Sequence, residues 1–289
     1  MNLDRLFKND IADEIIKGKK KDPILVKHYK EDGAKITQIE IKEKNNIYGK
    51  EVGNYITIEC IKDHNNEEIL AKYLKKILRK NGFNSKSKVL VVGLGNDSYL
   101  SDALGPKVVK EINVTSHLYK NKKKVTSVSC FIPGVMGVTG LESSEMIKSI
   151  IDRFSIDIVI VIDSLATRSI SRLYKTYQLT DTGINPGSGV NNNRMGVNKK
   201  IMKIPVIAIG VATVVDVASI MVNTLNVIDK RLLNTNTIET IYQSLDKDNH
   251  NFIMTTKEID DLIDVIALNI ASGINLAINP SLTINDNLR

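Results

Sequence analysis

The sequence predicts an α/β protein, with a mostly parallel sheet covered by helices and a small β-rich addition toward the N-terminus. Two apolar, β-branched runs, Val89–Val92 and Ile156–Ile162, have the composition of strands buried on both faces. Segments with helical spacing lie between the strand-like runs. The resulting order of strand, helix, strand, helix, strand implies right-handed crossovers in a covered sheet. The third observation is residues 36–61, where short β-rich segments are separated by polar Asn/Gly stretches, the pattern of an antiparallel pair.

In chain order, the first 35 residues are mixed and charged without a long periodic pattern, and read as a loosely attached arm that contains Asn9-Asp10-Ile11-Ala12-Asp13-Glu14. Residues 36–42 and 55–61 are the antiparallel pair. From Glu67 to Lys80, Ile69, Leu70, Tyr73, Leu74, Ile77 and Leu78 keep helical spacing, and Asn81-Gly82 closes the helix. The strand that begins at Lys88 stops at the tight turn Gly93-Leu94-Gly95-Asn96. Gly105 then reads as an N-cap and Pro106 as the first helical residue, since proline there gives up only a donor the helix does not use. Asp102 is left on the connecting loop, outside the carboxyl end of a strand, where open α/β sheets place their ligands.

A strand over Val125–Ile132 ends at Pro133-Gly134, and a helix follows over 141–154 with Leu141, Met146, Ile147, Ile150, Ile151 and Phe154 inward. Asp163 stops the next run, so Asp102 and Asp163 are expected at one edge of the sheet. Residues 172–179 have strand character. The Gly- and Asn-rich stretch Thr180–Arg194 is too long for a plain turn, and such loops are commonly functional or disordered. A strand over Ile204–Gly210 leads to a helix opened by Thr213-Val-Val-Asp216, a capping box with aspartate in place of glutamate. Residues 230–254 are polar and decorate the surface. A last helix opens with a second capping box, Thr255-Thr-Lys-Glu258, and aligns Ile259, Leu262, Ile263, Ile266, Ile270 and Ile274 on one face. With no internal repeat, the simplest organisation is a single α/β domain.

Composition narrows the function classes. At 42% hydrophobic the 289-residue chain can bury a sizeable core, and no apolar run in it reaches bilayer length. Its first residues lack the apolar segment of a secretory signal, so the expectation is a cytoplasmic protein away from membranes. Cys60 and Cys130 sit in apolar runs outside any CxxC pair and read as buried thiols. The four histidines form no zinc motif. The formal charge of +7 gives a weak field, and Lys17–Lys21 and Lys122–Lys124 read as solvated loops. With 5% aromatics and no tryptophan there is no stacking platform for single strands, and no direct nucleic-acid binding is expected.

No cofactor is expected either. The third glycine of a dinucleotide fingerprint would fall at Ser98, no acidic residue ends a clear second strand, and the P-loop lysine is missing. The pair of aspartates points instead to proton transfer. Two neighbouring carboxylates share one proton: the ionised member takes a proton from water, and the protonated member polarises a carbonyl. Each candidate also has a structural reading. Asp102 can cap its loop; Gly93, Gly95 and Asn96 can simply permit a turn, as can Gly187 and Gly189, although the same freedom allows close approach to an extended peptide. Arg168 and Arg194 can meet acidic substrate residues or surface carboxylates. Asp181-Thr-Gly183 has the letters of an aspartic-protease loop, but one tripeptide is weak support.

Five ordered blocks carry a family resemblance: Val91–Asn96 with Asp102-Ala-Leu-Gly-Pro106; Val161-Ile-Asp-Ser-Leu-Ala-Thr-Arg168; Asp181-Thr-Gly-Ile-Asn-Pro-Gly-Ser-Gly-Val190; Ile204–Asp216; and Lys257–Asp264 with Gly273-Ile-Asn-Leu-Ala277. Together they resemble the germination protease of spore-forming bacteria, an endopeptidase that degrades small acid-soluble spore proteins. The resemblance implies a sheet similar to that of the hydrogenase-maturation peptidases, a homotetramer in the spore core, and functional aspartates at Asp102 and Asp163. Substrate contacts are expected at Gly93, Gly95, Asn96, Arg168, Gly187 and Gly189. It also implies a zymogen that removes its own leader at an acidic residue followed by Ile or Leu and Ala. Asp10-Ile11-Ala12 has that form, which makes residues 1–10 a propeptide cut between Asp10 and Ile11, and 11–289 the peptidase domain. The alternatives are a metal-dependent peptidase of the same architecture, a non-catalytic spore-protein-binding protein, and a small-molecule hydrolase or phosphorylase.

Overall fold

The structure, a computed structural model, describes residues 10–16, 24–46, 48–60, 66–118, 125–185, 195–245 and 252–282. Among the described residues the strands are β1 (Ile24–Glu31), β2 (Ala34–Ile41), β3 (Gly53–Cys60), β4 (Lys88–Gly93), β5 (Ser127–Phe131), β6 (Ile158–Thr167), β7 (Thr176–Thr180), β8 (Val206–Asp216) and β9 (Ile253–Met254). They form one sheet in the order β1-β2-β3-β7-β8-β6-β4-β5, with β9 on the end of β8. Its core, β8-β6-β4-β5, is parallel, as the two-sided apolar runs require. β7 pairs antiparallel with both β8 and β3, and so joins the N-terminal antiparallel strands to that core.

The helices are α1 (Ala12–Ile16), α2 (Asn66–Lys80), α3 (Leu104–Lys110), α4 (Met136–Thr139), α5 (Ser143–Phe154), α6 (Lys199–Met202), α7 (Val217–Ile228), α8 (Thr235–Leu245) and α9 (Ile259–Ile278). On one face of the sheet Val89, Val91, Ile160, Ile162, Ile207 and Ile209 pack with the buried residues of α2, α3 and α9. On the other face Leu90, Val92, Val159, Val161 and Ala208 pack with Ile147 and Ile151 of α5. Alternation along each strand therefore feeds two cores. α9 is apolar and long enough to cross a membrane by length and composition, which corrects the expectation that no segment reaches that length. Nine of its residues, including Ile263, Ile270 and Ile274, are instead buried in the first core.

Several element starts differ from expectation for identifiable reasons. The described part of the first 35 residues, 10–16 and 24–35, is not a loose arm, because β1 pairs with β2 along its whole length and α1 packs on the sheet. α3 begins at Leu104, with Ala103 at its cap, so Gly105 does not cap it. Gly105 serves close packing, since a Cβ there would lie 2.2 Å from the Leu94 carbonyl oxygen. β8 runs on to Asp216, so the helix starts only at Val217, and Asp216 is itself the cap, accepting the Ser219 N–H. Thr255 does not cap α9, which follows Glu258; its hydroxyl donates to the Thr213 carbonyl at 2.9 Å. Leu141 and Phe154 are exposed rather than inward. Cys60 is buried, and burial pushes the half-buried Cys130 thiol up to about 12.

Candidate active site

β4 ends at Gly93, level with Ile162 of β6. β6 does not stop at Asp163 as expected; it continues to Thr167 because β8 continues beside it, past a register shift at Leu165/Ala166. Asp163 therefore lies in the strand, just beyond the end of its neighbour β4. Its side chain falls on the face of Val159 and Val161, by the two-residue repeat of a strand.

Asp102 reaches the same edge by way of a tight loop. The Asn96 N–H donates both to the Asp102 carbonyl oxygen at 3.1 Å and to its Oδ2 at 2.9 Å. Gly95 makes this possible: its φ is +112°, and a Cβ on it would lie 2.0 Å from the Asp102 carbonyl oxygen. Gly93 is packed as closely, with a hypothetical Cβ 2.2 Å from the Gly105 carbonyl oxygen. The absent side chains of Gly93 and Gly95 are thus used to seat the Asp102 loop. The Thr213 hydroxyl, donating to the Ser101 carbonyl at 3.2 Å, ties that loop to β8.

The electrostatics couple the two carboxylates. Asp163 is half-buried, and burial is the main cause that holds its carboxyl well above the usual range. The charges of Asp102 and, more weakly, Asp10 add to this, while the Ser164 N–H, donating to Oδ1 at 2.9 Å, works against it.

The segment Asp10–Ile16 lies across this face of the sheet. Asp10 pairs with the end of β6: its N–H donates to the Ala166 carbonyl at 3.2 Å, and its Oδ2 accepts the Ala166 N–H at 2.9 Å. Ile11 is fully buried among Leu165, Ala212 and Ile184. Ala12 packs with Ile39, Ile41, Tyr48 and Tyr55. Gln178, on β7 opposite Gly210, accepts the Ala12 N–H through Oε1 at 2.7 Å and donates from Nε2 to the Asp10 carbonyl at 3.2 Å. The same carbonyl oxygen accepts from Lys50 Nζ at 3.1 Å.

Downstream, buried Arg172 donates to both oxygens of Asp13, at 3.0 and 3.1 Å, and to Glu14 Oε1 at 2.8 Å. Glu14 also accepts the Thr167 hydroxyl at 2.6 Å and the Arg168 N–H at 2.9 Å. Arg168 therefore meets the segment through its backbone. Two backbone-reading contacts, a filled apolar pocket and a bidentate guanidinium hold five consecutive residues extended or helical beside the aspartate pair, as a bound peptide would be held.

Asp102, Asp163, Gly93, Gly95, Asn96, Asp10 and Ile11 are thus gathered at one edge, with Arg168 next to them. Gly187, Gly189 and Arg194 lie outside the described residues. Asp181 belongs elsewhere: its Oδ1 accepts the Asn54 N–H at 2.7 Å and its Oδ2 the Asn54 side chain at 2.6 Å, which clamps the start of β3 to the end of β7. Among the described residues no three His, Cys, Asp or Glu side chains stand together as a metal site. Sequence reading missed Lys50, Gln178 and Arg172. Their partners are remote in sequence, and the only local signal is the Asn/Gly turn that presents Lys50.

The germination protease family model matches residues 4–240. A germination protease of Caldanaerobacter subterraneus subsp. tengcongensis is 41% identical over 94% of this chain and 93% of its own. Those of Geobacillus sp. and Clostridium tetani are 37% and 36% identical, covering 86% and 90% of this chain and 83% and 90% of theirs. Among solved structures, a [NiFe] hydrogenase maturation protease, HycI, of Thermococcus kodakarensis KOD1 aligns with 70% of this chain and 99% of its own, at 15% identity and a TM-score of 0.37.

Proposed function

The chain belongs to the germination protease family, and from that premise we propose that it is an aspartic-type endopeptidase that cleaves small acid-soluble spore proteins in the spore core. In this reading it is made as a zymogen that cuts its own Asp10–Ile11 bond, and it works as a homotetramer. The observation that carries the reading is the Asp10-Ile11-Ala12 segment bound beside Asp163, with the Asp10 charge close enough to act on that carboxyl.

The reaction follows from the raised pKa of Asp163 beside Asp102. Asp102 takes one proton from a water whose oxygen adds to the Asp10 carbonyl carbon. Asp163 holds its proton through burial and through the neighbouring charges, and delivers it to the Ile11 nitrogen as the C–N bond breaks. The added hydroxyl stays on Asp10 as its new carboxyl group, and Ile11 leaves as an amine. The proton left on Asp102 returns to Asp163 through solvent. A spore protein with an acidic residue followed by Ile or Leu and Ala would occupy the same path once the segment has left it.

The test is digestion of a small acid-soluble spore protein by the processed chain, by Asp102→Asn and by Asp163→Asn. Cleavage after the acidic residue by the parent alone supports the reading. An uncut substrate, or one cut equally well by either variant, rejects it.

A further inference from the structure

Lys50 lies near the end of the loop between β2 and β3, and that loop is organised by one side chain. The Asn46 amide nitrogen donates to the Glu43 carbonyl at 2.9 Å and to the Lys50 carbonyl at 2.7 Å. Its Oδ1 accepts the Tyr48 N–H at 3.2 Å and the Lys50 N–H at 3.3 Å. Tyr48, buried with Ala12 and Tyr55, anchors the turn to the sheet. The ammonium group is thereby aimed inward, and burial lowers its pKa while the Asp10 charge supports the protonated form. Gln178 approaches the same oxygen from the floor of the cleft, fixed there because its other amide atom accepts the Ala12 N–H.

We infer that Lys50 Nζ and Gln178 Nε2 form the oxyanion hole of the peptidase, holding the carbonyl oxygen of the residue before the scissile bond. The inference rests on the proposed cleavage between Asp10 and Ile11. Both donors already meet the Asp10 carbonyl, at 3.1 and 3.2 Å. When water adds to the carbonyl carbon, the π pair moves onto that oxygen, and a fixed cation and a fixed amide face the new negative charge beside the fully buried Ile11 and Ala12. As the C–N bond breaks the pair returns to the carbonyl, so Lys50 and Gln178 exchange no proton. The bidentate grip of Gln178 on Asp10 and Ala12 also sets the register of the bond against the aspartates. The assignment divides the work: Asp163 is left free to protonate the leaving nitrogen.

The test is the first-order rate of loss of residues 1–10, followed by intact mass, in the parent chain and in Lys50→Met, Lys50→Arg and Gln178→Glu. Gln178→Glu keeps the acceptor for Ala12 and removes the donor to Asp10. Removing one oxyanion donor is expected to slow cleavage roughly 10²–10³-fold, for Lys50→Met and Gln178→Glu alike. Lys50→Arg, which keeps the charge, is expected to recover part of the loss. Thermal midpoints measured alongside separate lost chemistry from lost folding: a variant that melts with the parent and is slow supports the inference. Cleavage by Lys50→Met at the parental rate overturns the oxyanion hole alone. A parent that never loses residues 1–10 overturns the cleavage site and the oxyanion hole together.

Discussion

At Asp163, burial and then the charges of Asp102 and Asp10 keep the carboxyl protonated to higher pH than in an unfolded chain. Between the two values the folded protein binds more protons, so this residue's contribution to stability is present at low pH and is lost as pH rises through the raised value. Asp163→Asn removes the charge and keeps the shape. Its thermal midpoint is predicted to exceed the parent's at pH 8, with the gap closing as pH falls, while its cleavage is lost. Under the proposed mechanism cleavage by the parent is predicted to fall as pH rises past the point where Asp163 ionises. Gly95→Ala tests the loop that seats Asp102. A Cβ placed 2.0 Å from the Asp102 carbonyl oxygen, at a φ of +112°, is expected to cost about 1–3 kcal/mol and to displace the loop, seen as lost stability together with lost cleavage. That Asp102 and Asp163 lie at one edge of the sheet was legible in the sequence because each follows or ends an apolar strand-like run. The place of Lys50 was not, because an Asn-rich turn reads as solvated, and it is the Asn46 hydrogen bonds together with the burial of Tyr48 that turn it inward.

At the scale of elements, the short segment Asp10–Ile16 is held by one buried guanidinium shared between two carboxylates. Arg172→Met would leave Asp13 and Glu14 charged, buried and unpaired by that group. Breaking such a pair from one side costs about 3–5 kcal/mol. The segment is therefore expected to detach from the sheet, detected as faster amide exchange over residues 10–16 while β6 and β8 remain protected. The long elements were readable: α2 follows its 3.6-residue spacing to the turn at Gly82, whose φ is +90°. Short-range start signals were less dependable. Thr213 and Thr255 sit where capping boxes would place them, yet Thr213 continues β8 and Thr255 bridges to it, because pairing along the sheet outweighs a local cap. The strand character of 24–31 was hidden for a related reason. As an edge strand β1 exposes Leu25, Val26 and Tyr29 among charged residues, so neither face gives a clean apolar alternation.

At the scale of the molecule, the parallel core supplies the aspartates and the antiparallel extension supplies Gln178, while the turn before β3 supplies Lys50. β7 is the hinge of this arrangement, since it pairs with β8 on one side and β3 on the other. The parallel half was predictable from two apolar runs and their connecting helices. The way the N-terminal strands complete the cleft was not, because it depends on pairings between segments more than a hundred residues apart. On the proposed self-cleavage, residues 10–16 are bound by the chain that carries them, so processing is expected to be intramolecular, with a rate constant unchanged by a hundredfold dilution.

The most direct measurement is intact mass over time at mildly acidic pH for the parent chain, Asp102→Asn and Asp163→Asn, each with and without a chelator. If the aspartate pair cuts the Asp10–Ile11 bond, the parent alone loses residues 1–10, at a rate the chelator leaves unchanged. Full mass persisting in the parent, cleavage by either asparagine variant at the parental rate, or processing abolished by the chelator would contradict the proposed mechanism.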